Sequence, residues 1–206
     1  MRAVQGFSGQ LHGPGRKVLT MLFSRDKIIL DLCGGTGAWS KPYKEAGYDV
    51  RVITLPDDIR LTQCITGVYG ILAAVPCTHF SVSGARWWKE KGEVALLEGL
   101  AIADACCRFV VANLRTIEFW CFENPVGRLK HYYGKPDYYF HPHYFGDPYT
   151  KKTCLWGKFN IPEQTHWFEN NEIDDRIHKM PPSEDRATLR SITPPGIAKA
   201  FFEANQ

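Results

Sequence analysis

At 206 residues, 44% of them hydrophobic, the chain is long enough for one domain with a substantial core and too short for two. A net charge of +3 permits a polyanionic partner but falls short of the basic bias that alone marks a nucleic-acid binder. Seven cysteines, an odd number scattered from Cys33 to Cys154, speak against a disulfide framework and for free thiols in a reducing compartment.

Taken in chain order, residues 1–26 read as a loosely wrapped amino-terminal extension, because Gly6, Ser8, Gly9, Gly13, Pro14 and Gly15 crowd one stretch. Its first residues lack a leader-like pattern, and no apolar run reaches the roughly 18 residues that span a bilayer, so a soluble cytoplasmic protein is expected. Residues 28–33 read as a strand entering the glycine-rich turn Gly34-Gly35-Thr36-Gly37. A helix over about 38–46 follows, stopped by Gly47, and then a strand over 48–54 completes a βαβ unit.

The apolar run Tyr69 to Val75 is a buried strand that delivers Pro76-Cys77-Thr78-His79-Phe80-Ser81 at its carboxyl end, where open α/β sheets place their chemistry. Apolar residues at Val94, Leu97, Leu100, Ala101, Ala105, Phe109 and Ala112 predict a crossover helix over 93–113. It leads to the strand Phe119-Trp120-Cys121-Phe122-Glu123. Residues 126–150 read as irregular aromatic loops, 152–156 as a closing strand, 157–190 as a short surface excursion, and 195–203 as a terminal helix.

Three strand ends carry chemistry. A Cβ in the turn after Asp31 would keep a ligand away, so the glycines suit close approach of a small molecule, and Trp39-Ser40 stands where a phosphate-loop lysine would be needed. An adenosine-type cofactor is favoured over a nucleoside triphosphate. Cys77 reads as a nucleophile because polar residues follow it and Arg86, Lys89 and Lys91 lie close enough in sequence to favour the thiolate. Glu123 ends a buried strand, so desolvation is expected to raise its proton affinity and let it donate to a ring nitrogen. Asp57-Asp58 after the second strand either meets cofactor hydroxyl or amino groups or is a solvated turn. Arg86-Trp87-Trp88-Lys89 mixes cations with indoles, which suits either base stacking with phosphate contact or packing on the domain. His141 and His143 with Cys154 have metal-ligand character, but no cysteine pair completes a set, and no metal is expected.

With these strand ends in hand, residues 28–203 resemble the DNA cytosine-5 methyltransferases, particularly the compact members found in bacteriophage genomes. Asp31-Leu32-Cys33-Gly34-Gly35-Thr36-Gly37 is similar to the family's S-adenosylmethionine loop. Pro76-Cys77 resembles its nucleophile turn and Glu123-Asn124-Pro125 its glutamate-asparagine motif. Phe145-Gly146-Asp147-Pro148-Tyr149 and Ser191-Ile192-Thr193-Pro194-Pro195 are similar to two later motifs. The departures are specific: Tyr149 replaces a glutamine, Lys151 and Thr153 stand where arginines are usual, and Thr54 ends the second strand where an acid is usual. Residues 157–190 occupy the place of a full target-recognition domain.

The resemblance implies a single Rossmann-like α/β domain over 1–206, a mostly parallel twisted sheet with helices on both faces. It implies transfer of a methyl group from S-adenosyl-L-methionine to cytosine C5 in DNA, duplex with a flipped base or single-stranded, in a bacterial or phage-infected cell. Cys77, Glu123, Asn124 and Lys151 would be catalytic. Asp31 to Gly37, Trp39, Thr54, Asp58, Pro76 and Ser191 would hold the cofactor, and Ser81, Arg86, Lys89 and Lys152 would contact nucleic acid. A protein partner supplying sequence recognition, the same chemistry on RNA or a free cytosine nucleotide, and a catalytically silent accessory protein are the alternatives.

Overall fold

The structure, a computed structural model, describes residues 27–206; the amino-terminal extension assigned to 1–26 lies outside them. Six strands form one sheet: β1 (Ile28–Leu32), β2 (Asp49–Ile53), β3 (Val68–Ala74), β4 (Phe119–Pro125), β5 (Tyr138–Phe140) and β6 (Thr153–Lys158), in the order β2-β1-β3-β4-β6-β5. The first four run parallel, while β6 is antiparallel to both β4 and β5. Around it lie α1 (Lys41–Glu45), α2 (Trp88–Ala112), α3 (Lys130–Tyr133), α4 (Arg176–Lys179), α5 (Arg186–Ser191) and α6 (Pro195–Ala204).

Side-chain alternation along the strands splits the core between the two faces. Leu30, Leu32, Ile71, Ala73, Phe122 and Trp156 point to one side, where α2 covers them with Ala103, Cys106, Phe109 and Val110. Ile29, Leu72, Cys121 and Leu155 point to the other, where Tyr43 of α1 and Ile197, Ala198 and Phe201 of α6 pack on them. Helices on both faces of a mostly parallel sheet make this an α/β fold compatible with the Rossmann-like expectation. Phe109, fully buried near the carboxyl end of α2, anchors its face, and truncation to Ala there costs about 3–5 kcal/mol.

Asn113 joins helix to strand. Its Nδ2 donates to the carbonyls of Ile65 and Phe109, each at 2.8 Å, and its Oδ1 accepts from the Val68 N–H at 3.0 Å. A buried amide with its polar atoms paired in this way fixes where β3 begins, and so where its far end delivers Cys77.

The elements depart from the sequence reading in three places. The helix expected over 38–46 is confined to Lys41–Glu45, because Gly35 and Gly37 adopt positive φ and Pro42, lacking an N–H, fits only a first helical turn. Residues 126–150 are not wholly irregular: α3 and the short β5 lie within them, and β5 is three aromatic residues stabilised by pairing with β6. Helix α2 begins at Trp88, but Gly92 at φ +70° breaks it, and the regular part starts where the periodicity does. Among the described residues no helix is long and apolar enough to cross a membrane.

Candidate active site

The chain leaves β1 to form β2 on one side and returns to form β3 on the other, so a crevice opens at the carboxyl ends of β1 and β3. Open α/β sheets bind ligands at such a switch point. A cleft of about 580 Å³, counting its open mouth, occupies it and brings together Asp31, Cys33, Gly34, Gly35, Thr36, Trp39, Pro76, Cys77, Glu123, Lys151 and Ser191. Residues far apart in sequence thus converge on one volume.

The β1 wall is built from one short stretch of chain. Asp31 is fully buried, and its Oδ2 accepts from Ser40 Oγ at 2.6 Å while its Oδ1 has no partner. Burial pushes its carboxyl up to about 6 against the lowering effect of the Ser40 bonds. A Cβ on Gly34 would sit 2.4 Å from that carboxyl group, so glycine is required there. Gly35, at φ +54°, faces open space. The Gly37 N–H closes the turn on the Gly34 carbonyl at 2.9 Å. Trp39 is wedged edge-on against Phe201 at 5.5 Å and leaves Nε1 unpaired. A glycine cradle with an unpaired buried carboxylate oxygen and an unpaired indole N–H suits a ligand that carries hydroxyl or amino donors and polar acceptors.

The opposite wall is held by long-range bonds. Cys77 opens a single 3₁₀ turn after β3 (Cys77–His79), and its carbonyl accepts the N–H groups of Phe80 and Ser81. Asn124, buried in β4, donates Nδ2 to the Val75 carbonyl at 2.7 Å. Arg128 donates Nε to the His79 carbonyl at 2.6 Å, and its backbone N–H binds the Phe80 carbonyl at 2.9 Å. Gly127 lies so close that a Cβ would be 1.9 Å from the Phe80 oxygen. The loop leaving β4 therefore clamps the turn that carries the thiol.

Burial, and then the nearby Glu123 carboxyl, push the Cys77 thiol up, while Lys151 and Arg190 pull it down. Burial likewise raises Glu123, opposed by Lys151, as the sequence predicts. The cations that act on the thiol are not those expected. Lys151 and Arg190 line the cleft, whereas Arg86 stacks on the exposed Trp87 at 5.0 Å and Lys91 donates to the Thr78 carbonyl at 3.2 Å. The correction follows from the 3₁₀ segment Val82–Trp87, which turns the chain away after Ser81.

The other expected site residues distribute as follows. Leu32 is in the core and Asn124 supports the turn from behind. Neither Thr54 nor Asp58 lines the cleft; Thr54 accepts the Asp57 N–H and Asp58 is ion-paired with Arg60 at 2.6 Å. Ser81 is nearly buried, accepting from the Ser83 N–H at 3.3 Å, whereas Lys89 is exposed and Lys152 lies over the Tyr139 ring at 5.2 Å. Arg190, Thr193 and Pro125 line the cleft without having been singled out. Pro125 and Thr193 sit inside quoted motifs, while nothing in its local sequence marks Arg190. His141 and His143 stack at 5.1 Å, and no cluster of three or more metal-binding side chains occurs among the described residues.

The segment 157–190 is tied to this side of the site. The Asp174 carbonyl accepts the Thr150 N–H at 2.8 Å, its N–H binds the Pro148 carbonyl at 3.1 Å, and α5 brings Arg190 and Ser191 to the cleft. No protein-family model matches the chain, and no curated protein matches it.

Proposed function

We propose that this chain is an S-adenosylmethionine-dependent methyltransferase acting on C5 of cytosine in DNA. The observation that carries the reading is the meeting, in one cleft, of a glycine cradle with an unpaired carboxylate oxygen, a clamped cysteine, and a carboxyl group whose proton affinity is raised by burial. Asp31, Cys33 to Thr36, Trp39 and Ser191 would hold the cofactor, which when bound supplies an electrophilic methyl group.

The residues of this chain account for the rest of the chemistry. Cys77, as thiolate, adds to C6 of the ring and makes C5 nucleophilic. Burial raises its proton affinity, while Lys151 and Arg190 favour the anion. Glu123, whose proton affinity burial raises, donates to N3 and offsets the charge that develops on the ring. Loss of the C5 proton then expels the thiolate. Cytosine edges are covered in a duplex, so the base must be flipped out or presented single-stranded.

The same chemistry on RNA or a free cytosine nucleotide is the second reading. It is favoured by the short 157–190 segment, whose elements are a 3₁₀ turn and two brief helices tied to residues 148–150. Incubation with labelled S-adenosylmethionine and, separately, duplex DNA, single-stranded DNA, RNA and dCMP decides between them. Label in DNA supports the first reading, label only in RNA or dCMP the second, and label in none contradicts both.

A further inference from the structure

Of the seven cysteines, one pair among the described residues brings sulfur within reach of sulfur: Cys33 in the glycine turn and Cys106 in α2, with Sγ atoms 4.0 Å apart. Cys33 lines the cleft and is partly exposed, while Cys106 is fully buried behind it among Leu30, Ile71 and Phe109. We propose that Cys33 and Cys106 form a peroxide-oxidisable dithiol whose disulfide closes the cofactor cradle.

Three features support this. Cys33 is reached from solvent through the cleft, so a small oxidant meets it first. The two thiols share a hydrogen bond, which lowers Cys33 despite burial and the nearby Asp31 and Asp58, while the same bond and burial raise Cys106. Because Cys33 faces the cleft and Cys106 is buried behind it, Cys33 is the attacking sulfur and Cys106 the resolving one. Third, Cys33 has φ +56°, a left-handed conformation held by the turn itself, and is followed by a glycine that has no room for a Cβ beside the Asp31 carboxyl group.

The chemistry balances with a hydroperoxide as the oxidant. The Cys33 thiolate attacks the peroxide oxygen and the O–O bond breaks, giving Cys33 sulfenic acid and, from hydrogen peroxide, hydroxide. The Cys106 sulfur then attacks Cys33, the S–S bond forms, and the departing hydroxide takes the Cys106 proton as water. Two thiols and one hydrogen peroxide become one disulfide and two waters. The sulfurs must close from 4.0 Å to about 2.05 Å. Because Cys106 sits inside the packed face of α2, the turn moves inward and carries Gly34 and Gly35 with it. That this weakens cofactor binding rests on the function proposed above; the disulfide itself does not.

The folded protein is treated with hydrogen peroxide, alkylated under denaturing conditions and peptide-mapped, and binding of S-adenosylhomocysteine is measured by calorimetry before and after, then again after dithiothreitol. The expected result is a Cys33–Cys106 cross-linked peptide, absent in Cys106→Ala and in Cys33→Ser, with affinity falling on the order of tenfold and recovering on reduction. Retention of both thiols, sulfinic acid at Cys33 with Cys106 still alkylated, or pairing of either with Cys64 or Cys107 would overturn the dithiol. A complete cross-link with unchanged affinity would overturn the closing of the cradle. Failure of the reduced protein to bind the probe at all contradicts the proposed function, while the peptide map still decides the disulfide.

Discussion

The two walls of the cleft are made in opposite ways. On the β1 side, Asp31, Gly34, Gly37 and Ser40 contact one another within ten residues of chain. On the β3 side, Cys77 is held by Asn124 and Arg128, whose bonds to Val75 and His79 each span 49 positions. A wall made of local contacts forms with the turn itself, whereas a wall made of distant ones requires β3 and β4 to be in register first. On the proposed function, the difference means that cofactor binding and nucleophile placement can be broken separately.

The sharpest way to break them apart is a pair of glycine substitutions. Gly127→Ala places a Cβ 1.9 Å from a backbone oxygen that cannot swing aside, and we expect a loss of about 3 kcal/mol or more, with transfer activity falling further than cofactor affinity. Gly34→Ala sets a Cβ against the Asp31 carboxyl group and should cost about 1–3 kcal/mol, with cofactor affinity suffering first. Urea unfolding and calorimetry on both variants test this, and identical damage to both functions would show that the walls form one unit.

A second test is pH. The Asp31 carboxyl is raised from 3.8 to about 6 in the folded protein, so the folded state binds the proton more tightly than the unfolded one. This contribution is fully present below about pH 4 and is lost as pH rises through 6, amounting to about 3 kcal/mol. Asp31→Asn removes this titration, so unfolding curves at several pH values should show a decline between pH 4 and 6 that is smaller in the variant than in the wild type.

Asn124→Ala sharpens the comparison from the other side. It strands the buried Val75 carbonyl at a cost of about 1–3 kcal/mol, and the loss should appear in the rate of transfer at saturating cofactor with cofactor affinity unchanged. Matched binding and kinetic titrations check it.

The contrast also explains what the sequence discloses. Asp31, Gly34 and Gly35 are legible because the requirement for each arises from neighbours a few residues away. Cys77 and Glu123 are legible because buried strands announce their own ends. The clamp by Arg128 and Gly127 is not, since it exists only once β4 lies beside β3. Arg190 is hidden for the same reason: α5 reaches the cleft through a segment whose own sequence reads as surface. Conversely, Arg86 and Lys89 lie near Cys77 in sequence, but the 3₁₀ turn carries the chain past it.

The smallest expected effect concerns these displaced cations. Arg86 and Lys89 are exposed and, if they meet phosphates, replacing both with alanine should lower the slope of log affinity against log salt by up to about 2. An unaltered slope would mean that they only solvate the surface.

The most direct measurement is the covalent bond itself. A DNA duplex carrying 5-fluorocytosine is incubated with the protein and S-adenosylmethionine, the mixture is denatured, and the peptides are mapped by mass. The expected result is an adduct on Cys77 in the wild type and none in Cys77→Ala, which should still bind cofactor with near wild-type affinity. Methyl transfer that persists in Cys77→Ala, or an adduct on any other cysteine, would contradict the assignment of Cys77 as the nucleophile.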